Sequence, residues 1–147
     1  MSENKEMFLA AYRSSSHITS AMKNDDYDVR CLAMSNPSAT AKHIDKGLKD
    51  NEWRLRVNAA THPNATRTQI NTGLLDRSLD VAKGAIKRPD IDAEHIIIAQ
   101  SSALPIIRAW AVKHKNATSD HAKSALADTE AVVRDNAKEK LEQLNKN

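Results

Sequence analysis

The sequence is poor in the residues on which many common folds and sites depend. It has one cysteine, three glycines and four prolines in 147 residues, and aromatic residues make up 3% of the chain. A single cysteine, Cys31, excludes an intramolecular disulfide and a cysteine-ligated metal cluster. Sheet proteins of this size usually carry more aromatic and β-branched residues and more glycine, so the composition indicates helices.

Long apolar runs are also missing from the sequence. No apolar stretch reaches the roughly 18 to 20 residues that a membrane helix needs, so we expect no membrane association. The segment Met1 to Ala10 carries Glu3, Lys5 and Glu6 and lacks the apolar centre of a signal peptide. We therefore predict a cytoplasmic protein. With 40% hydrophobic and 28% charged residues, the composition fits one globular domain.

What the sequence does contain is an internal repeat of 26 residues. Pro37, Pro63 and Pro89 are evenly spaced by this period, and one further step reaches Lys115. Apolar and small residues recur around them in four columns: Val29, Leu55, Val81, Ile107 and Val133; Ala33, Ala59, Ala85, Ala111 and Ala137; Ile18, Ile44, Ile70, Ile96 and Ala122; and Ala21, Gly47, Gly73, Ala99 and Ala125. Such self-similarity indicates a repeat architecture.

Each unit is predicted to contain two short helices, helix A before the proline position and helix B after it. The apolar columns follow the i, i+3, i+4 spacing of an amphipathic helix. Proline ends helix A because it cannot donate a hydrogen bond and disfavours the α region in the preceding residue. The predicted N-caps of helix B are Thr40, Thr66, Asp92 and Thr118, and helix A is expected to begin after Asp50, Asp76, Ser102 and Asp128.

The predicted fold is all-α, a short α-solenoid of about four two-helix repeats plus capping half-repeats. Helices of this length are marginal alone, so each must bury its apolar stripe against its own pair and the next pair. We expect a single repeat domain over 1–147. It would contain an N-terminal cap half-repeat over 1–25, four repeats over 26–129 and a C-terminal cap helix over 130–147.

The unit resembles the leucine-rich repeat variant family, a relative of the HEAT-like α-solenoids. The shared pattern is Val-Arg-x-x-Ala-x-x-Asn-Pro, then a second helix that ends Gly-Leu-x-Asp; Asp28-Val29-Arg30, Ala33 and Asn36-Pro37 match it most closely. The resemblance covers about Asp26 to Leu141. It implies a right-handed superhelix whose second helices are partly 3₁₀. The chain departs from the family in its longer period and in lacking the cysteine cluster of the iron–sulfur members.

The six histidines fall in two repeat columns. The first column, in which Gln69 fills the gap, is His17, His43, His95 and His121, and the second is His62 and His114. Neighbouring units stack roughly 8 to 10 Å apart, so one histidine per unit makes a spaced row and not a metal cage. We predict that the first column occupies the third helical position and interacts with the N-cap. No metal and no cofactor is predicted.

Motifs for catalysis are not found in the sequence. There is no Gly-rich phosphate loop, no His-Glu-x-x-His and no paired-cysteine motif. Cys31 shares its column with Val57, Lys83, Ala109 and Asp135, so nothing marks it as a nucleophile. We therefore predict that the protein is not an enzyme.

An arginine column supplies candidates for a binding surface. It consists of Arg30, Arg56, Arg108 and Arg134. These side chains could pair with aspartates near the unit junctions in a structural ladder, or they could form a basic stripe spaced to contact phosphates. Interleaved acids and the absence of an aromatic platform for single strands favour the ladder. The net charge of +3 is too small to decide between them.

The two tryptophans stand in different columns. Trp53 opens helix A of its unit, while Trp110 replaces Leu32, Asn58 and Gly84 at a variable position. A residue that breaks its column is a candidate for partner contact, although filling the space above Gly84 is the structural alternative. The predicted partner-binding residues are Trp53, Arg54, Arg56, Arg30, Arg108, Trp110 and Arg134.

These features together predict a non-enzymatic protein-binding module. It would act as an adaptor, inhibitor or modulator of a partner protein through one helical face. The first alternative is a DNA- or RNA-binding protein that uses the arginine column, and the second is a structural subunit of a larger assembly. The sequence specifies neither the partner nor the oligomeric state.

Overall fold

A computed structural model describes residues 15–146, and within this range the chain forms ten helices and no strand. The chain divides into two compact units, Met1–Gly73 and Leu74–Asn147. Residues 1–14, which include the segment Met1 to Ala10, lie outside the described residues. Within the described range, no helix combines the length and apolar character needed to span a membrane.

Helices at the predicted helix A positions, which we call A-type, alternate along the chain with helices at the helix B positions, which we call B-type. The even-numbered helices are A-type and the odd-numbered helices are B-type. The first unit contains α1 (Ser15–Ala21), α2 (Tyr27–Met34), α3 (Ala41–Leu48), α4 (Trp53–Ala60) and α5 (Arg67–Leu74), the last of which ends at the unit boundary. The second contains α6 (Leu79–Ile86), α7 (Ala93–Ala99), α8 (Pro105–Lys113), α9 (Ser119–Ala125) and α10 (Ala131–Asn145). Helices of one kind start 26 residues apart, so the all-α prediction with two helices per 26 residues is confirmed.

The repeat columns form the buried interior of each unit. The helix A apolar column, from Val29 to Val133, is at most 2% exposed, and the alanine column from Ala33 to Ala137 is fully buried. The helix B column from Ile18 to Ala122 is at most 3% exposed. Because large apolar residues are few, the core is built from Ile, Leu, Val and Ala, whose small side chains allow helices to approach closely.

Gly47 marks such a close approach in the first unit. A Cβ atom on this glycine of α3 would lie 2.5 Å from Sδ of Met34 on α2 and 2.9 Å from Cβ of Ala59 on α4. Both distances are too short for real side chains, so only glycine allows these three helices to meet here. The small-residue column of helix B therefore coincides with a close helix contact at this position.

The starts of the B-type helices agree with the prediction. Thr40, Asp92 and Thr118 are the N-caps of α3, α7 and α9. Thr66 precedes α5 in the same way, since its hydroxyl accepts the Gln69 N–H at 3.2 Å. These side chains satisfy backbone N–H groups that have no partner inside the helix.

The starts of the A-type helices differ from the prediction. The N-caps are Asp26, Glu52, Ser78, Leu104 and Glu130. Asp50 lies two residues earlier, and its Oδ1 accepts the Glu52 N–H at 2.9 Å. Asp128 accepts the Glu130 N–H in the same way, also at 2.9 Å. The capping prediction for this column was therefore wrong, because these aspartates close a turn that precedes the helix.

The ends of the A-type helices follow the prolines. Helices α2, α4 and α6 have eight residues each and stop three residues before Pro37, Pro63 and Pro89. Helix α8, after which Lys115 replaces the proline, has nine residues and extends to Lys113. The B-type helices in the described range are α-helical, so the 3₁₀ character implied by the family resemblance is not present there.

Candidate functional site

The first histidine column caps the B-type helices, as predicted. The Nδ1 atoms of His43, His95 and His121 accept the N–H of their N-cap residues at 3.0, 3.1 and 2.9 Å. Gln69 does the same through Oε1, which accepts the Thr66 N–H at 2.9 Å. Each of these side chains therefore supplies the acceptor for the backbone N–H of its own N-cap residue.

The outer nitrogens of His43 and His121 connect successive B-type helices, whereas Nε2 of His95 is buried without a hydrogen-bond partner among the described residues. Nε2 of His43 lies 2.8 Å from the Thr19 hydroxyl, and Nε2 of His121 donates to the Ala93 carbonyl at 3.0 Å. Burial lowers the pKa of His43, and the charge of Lys46 lowers it further, against a smaller opposing effect of the Ser15 backbone. Within residues 15–146, no three His, Cys, Asp or Glu side chains converge as metal ligands would.

The second histidine column fixes the turn after helix A. Nδ1 of His62 accepts the Asn64 N–H at 3.0 Å, and its Nε2 donates to the Asn36 carbonyl at 2.7 Å, one repeat earlier. Nδ1 of His114 likewise accepts the Asn116 N–H at 3.0 Å. The sequence placed these residues beside the proline position but did not reveal their part in the turn.

Two members of the arginine column form bidentate ion pairs. Arg30 approaches Asp50 with Nε–Oδ2 and Nη2–Oδ1 distances of 3.0 and 3.3 Å. Arg108 approaches Asp128 through the same atoms at 2.9 and 3.1 Å. The hydrogen bonds from Arg108 hold the pKa of Asp128 below its usual value, and Asp128 raises that of Arg108. These pairs give Arg30 and Arg108 structural partners, but each pair lies within one predicted repeat, 26–51 or 104–129, and not between neighbouring repeats as a ladder along the array would require.

All four arginines of the column also bond to the backbone that precedes their own helix. Nη1 donates to the carbonyl six residues earlier, at 2.8 Å from Arg30, 2.9 Å from Arg56 and Arg108, and 2.8 Å from Arg134. Arg56 is only 5% exposed. The column therefore ties the start of each A-type helix to the preceding turn.

Trp53 and Arg54 lie in an exposed cluster on the first unit. The guanidinium of Arg54 stands 4.7 Å from the centre of the Trp53 ring and 5.5 Å from that of Tyr27. Its Nη1 also contacts Glu52 Oε1 at 2.6 Å. The charge of Arg54 is thus already matched by a carboxylate.

Trp110 lines a cleft on the second unit, which we call the Trp110 cleft. It has a volume of about 550 Å³ and is lined by Ile86 of α6, its C-cap residue Lys87, Trp110 of α8 and His114. The ammonium groups of Lys83 and Lys87 stand 6.0 and 5.9 Å from the centre of the indole ring. The floor of the cleft is therefore apolar and aromatic, while its α6 side is cationic.

The positive charges beside the Trp110 cleft are not neutralised by nearby carboxylates in the described part of the chain. Lys83 and Lys87 are exposed, and neither forms an ion pair with any carboxylate in the described part of the chain. Burial lowers the pKa of His114, and the charges of Lys115 and Lys140 lower it further. Near neutral pH the cleft therefore offers two cations, one neutral imidazole and one aromatic face.

The predicted site residues are divided between the two units. Trp53, Arg54, Arg30 and Arg56 belong to the first unit, and Arg108, Trp110 and Arg134 to the second. Lys83, Lys87, Ile86 and His114 were not among the predicted partner-binding residues. The break in the Trp110 column was the available signal, because it marks the point where the surface departs from the repeat.

Comparisons with protein-family models, with curated proteins and with solved structures found no match for this chain.

Proposed function

We propose that this protein is a non-enzymatic protein-binding module, an adaptor, inhibitor or modulator that acts in the cytoplasm. We further propose that its helix pairs stack as a short right-handed α-solenoid of the leucine-rich repeat variant kind. The common 26-residue register of the helices in both units supports this architecture. Repeat arrays of this type offer extended surfaces on which partners bind.

The Trp110 cleft is the observation that carries the proposal. A half-buried tryptophan lines an open cleft of about 550 Å³ and is flanked by two lysines without ion pairs. The packing of the repeats does not require this arrangement. At the same column position, Asn58 and Asn136 donate to carbonyls of the preceding A-type helix at 3.2 and 3.3 Å. Tryptophan is enriched among the residues that dominate binding energies at protein interfaces.

Nucleic-acid binding through the arginine column has weaker support. Arg30 and Arg108 already hold Asp50 and Asp128 in bidentate pairs, so much of their charge is neutralised before any phosphate arrives. Arg134 and Arg56 each donate to backbone carbonyls. Phosphate contacts derive their energy from free cations that release counterions, and this column offers few.

Affinity purification of the tagged full chain from its native cells, with and without nuclease, tests the proposed function. We expect one protein to co-purify in stoichiometric amount and to survive nuclease treatment. Recovery of nucleic acid as the main companion, lost steeply as salt rises, would contradict the proposal and favour the arginine stripe. Recovery of the chain alone at every salt concentration tried would also count against a stable protein partner.

A further inference from the structure

We infer that the Trp110 cleft binds an acidic segment of a partner protein that places an apolar side chain on the indole face. The inference rests on the proposed protein-binding function and names the chemistry of the partner. Its lining residues, Ile86, Lys87, Trp110 and His114, all belong to the second unit.

The apolar part of the cleft fits one or two partner side chains. Ile86 is 3% exposed, so it supports the floor from below, while the half-buried Trp110 ring presents a face to solvent. A volume of about 550 Å³ exceeds that of a single large side chain and lies within the range of small-ligand sites. Covering an aromatic face with an apolar side chain removes water from both surfaces and is favourable.

The charged part of the cleft selects an acidic partner. Lys83 lies on α6, and Lys87, four residues later, is the C-cap residue of this helix, so both ammonium groups lie near the ring on the same side. Neither has a carboxylate partner among residues 15–146. Carboxylates on either side of an apolar residue would pair with these lysines, and this complementarity would also accelerate association.

The surroundings of the cleft disfavour a nucleic-acid strand. Single-strand binding proteins combine several stacking rings with a continuous cationic track along the backbone. The cleft has one aromatic ring, and the neighbouring arginines Arg88 and Arg108 are engaged by Asp90 and Asp128 at 2.9 Å each. A compact acidic segment needs only the two lysines and the ring, which are the groups available.

Selection from a phage-displayed library of random dodecapeptides on the immobilised full chain tests the inference. We expect the enriched peptides to carry net negative charge and at least one aromatic residue or leucine. Affinities of the enriched peptides are then measured by the fluorescence of Trp110 in a W53F background, which removes the other tryptophan. Enrichment of basic or uncharged peptides, or of none, would overturn the inference.

Matched variants locate the binding site. K83Q/K87Q removes both charges from exposed positions without touching the core, and we expect at least about tenfold weaker peptide binding. K42Q/K46Q removes the same number of lysines from α3 of the first unit and should leave the affinity unchanged. Equal effects of the two double variants would overturn the inference.

Two further measurements separate this inference from the proposed function. A twelve-residue oligo-dT strand that binds the W53F protein more tightly than the selected peptides, with loss in K83Q/K87Q, would assign the cleft to nucleic acid. A partner protein that co-purifies equally with wild type and K83Q/K87Q would leave the protein-binding function standing and overturn the assignment of the cleft.

Discussion

Positions 58 and 110 occupy the same place in the repeat, yet they serve different purposes in the two units. Asn58 of the first unit donates to the Cys31 carbonyl at 3.2 Å and so joins two A-type helices. Trp110 of the second unit instead lines an open cleft beneath Lys83 and Lys87. The arginine column, by contrast, is used alike in both units, since Arg30 and Arg108 each pair with the aspartate twenty residues later.

Some positions of the repeat are required for the fold, and others can vary without loss of the fold. Positions that recur with the same residue type bury apolar surface, cap helices or tie turns, and they behave similarly wherever they occur. A position whose residue type differs between repeats does not carry one of these structural roles in every repeat. The difference between Asn58 and Trp110 is the basis of the function that we propose for the second unit, whereas the similarity of Arg30 and Arg108 favours a structural role for both.

The largest effect on stability should come from breaking the Arg–Asp ion pair that each unit contains. Arg108→Ala leaves the partly buried Asp128 carboxylate without its bidentate partner and removes the bond to the Ser102 carbonyl. We expect a loss of about 2 to 4 kcal/mol in the free energy of unfolding, measured by urea denaturation. Arg30→Ala should cost a similar amount.

Arg54→Ala is the matched control for these arginine variants. Its side chain is exposed, and its contacts with Glu52 and with the Trp53 and Tyr27 rings lie at the surface, so its removal should change stability little. If all three arginine variants unfolded at the same urea concentration, the structural role of the ion pairs would be refuted.

The next effect concerns the close helix contact of the first unit. Gly47→Ala places a methyl group 2.5 Å from Met34 Sδ and 2.9 Å from Ala59 Cβ, so the helices must separate. We expect a cost of about 1 to 3 kcal/mol, and Ala59→Leu should cost a similar amount by overpacking. Ala41→Leu, an enlargement at an exposed position of the same helix, is the control. An unchanged thermal midpoint in Gly47→Ala would show that the helix register is wrong.

Substitutions at positions 58 and 110 test whether Asn58 has a structural role and Trp110 a binding role. Asn58→Ala loses one hydrogen bond between helices and should lower stability by about 1 kcal/mol without affecting partner binding. Trp110→Asn should have a stability effect of similar size, because a half-buried ring is exchanged for an amide, but it should abolish binding. A Trp110→Asn variant with intact partner affinity would remove the functional distinction between the two positions.

The smallest effect is a pH dependence that distinguishes His43 from Gln69 in the same column. The folded-state pKa of His43 lies below its ordinary value of 6.5, so below that pH the unfolded chain binds a proton that the folded chain does not. The contribution of His43 is therefore fully present above pH 6.5 and is lost as the pH falls through the lowered pKa.

His43→Gln tests this dependence, because Gln69 shows that glutamine caps the same helix position without titrating. Denaturation at pH 7.5 and at pH 5.0 should show a smaller fall in stability for the variant than for wild type. The other histidines are common to both proteins, so the difference isolates this residue. Identical falls would mean that His43 is protonated as easily in the folded chain as in the unfolded one.

Much of the fold could be predicted because the same buried columns and the same helix caps recur in successive repeats. Columns such as Val29 to Val133 must be buried wherever they occur, and a threonine or aspartate followed three residues later by histidine or glutamine caps a helix in each case. The start of helix A was predicted too early, since Asp50 was taken for a cap. In the folded chain its carboxylate is shared between a turn N–H and Arg30, a choice that depends on a side chain distant in sequence.

The Trp110 cleft could be predicted only in part. The break in the column marked Trp110, but Lys83 and Lys87 lie 27 and 23 residues earlier. Their approach to the ring depends on how α6 and α8 cross, which a repeat pattern does not specify. Likewise, the side-chain amides of Asn64 and Asn116 donate to the Ala39 and Ile91 carbonyls at 3.0 and 2.7 Å, and the sequence did not indicate these contacts.

The most direct test of the central claim is the affinity of the co-purified partner for four forms of the full chain, measured by titration calorimetry. The forms are wild type, Trp53→Ala, Trp110→Ala and K83Q/K87Q. We predict that the partner binds wild type and Trp53→Ala alike and binds the two cleft variants at least about tenfold more weakly. Equal affinity for all four forms would contradict the account, because the partner would then recognise some other surface.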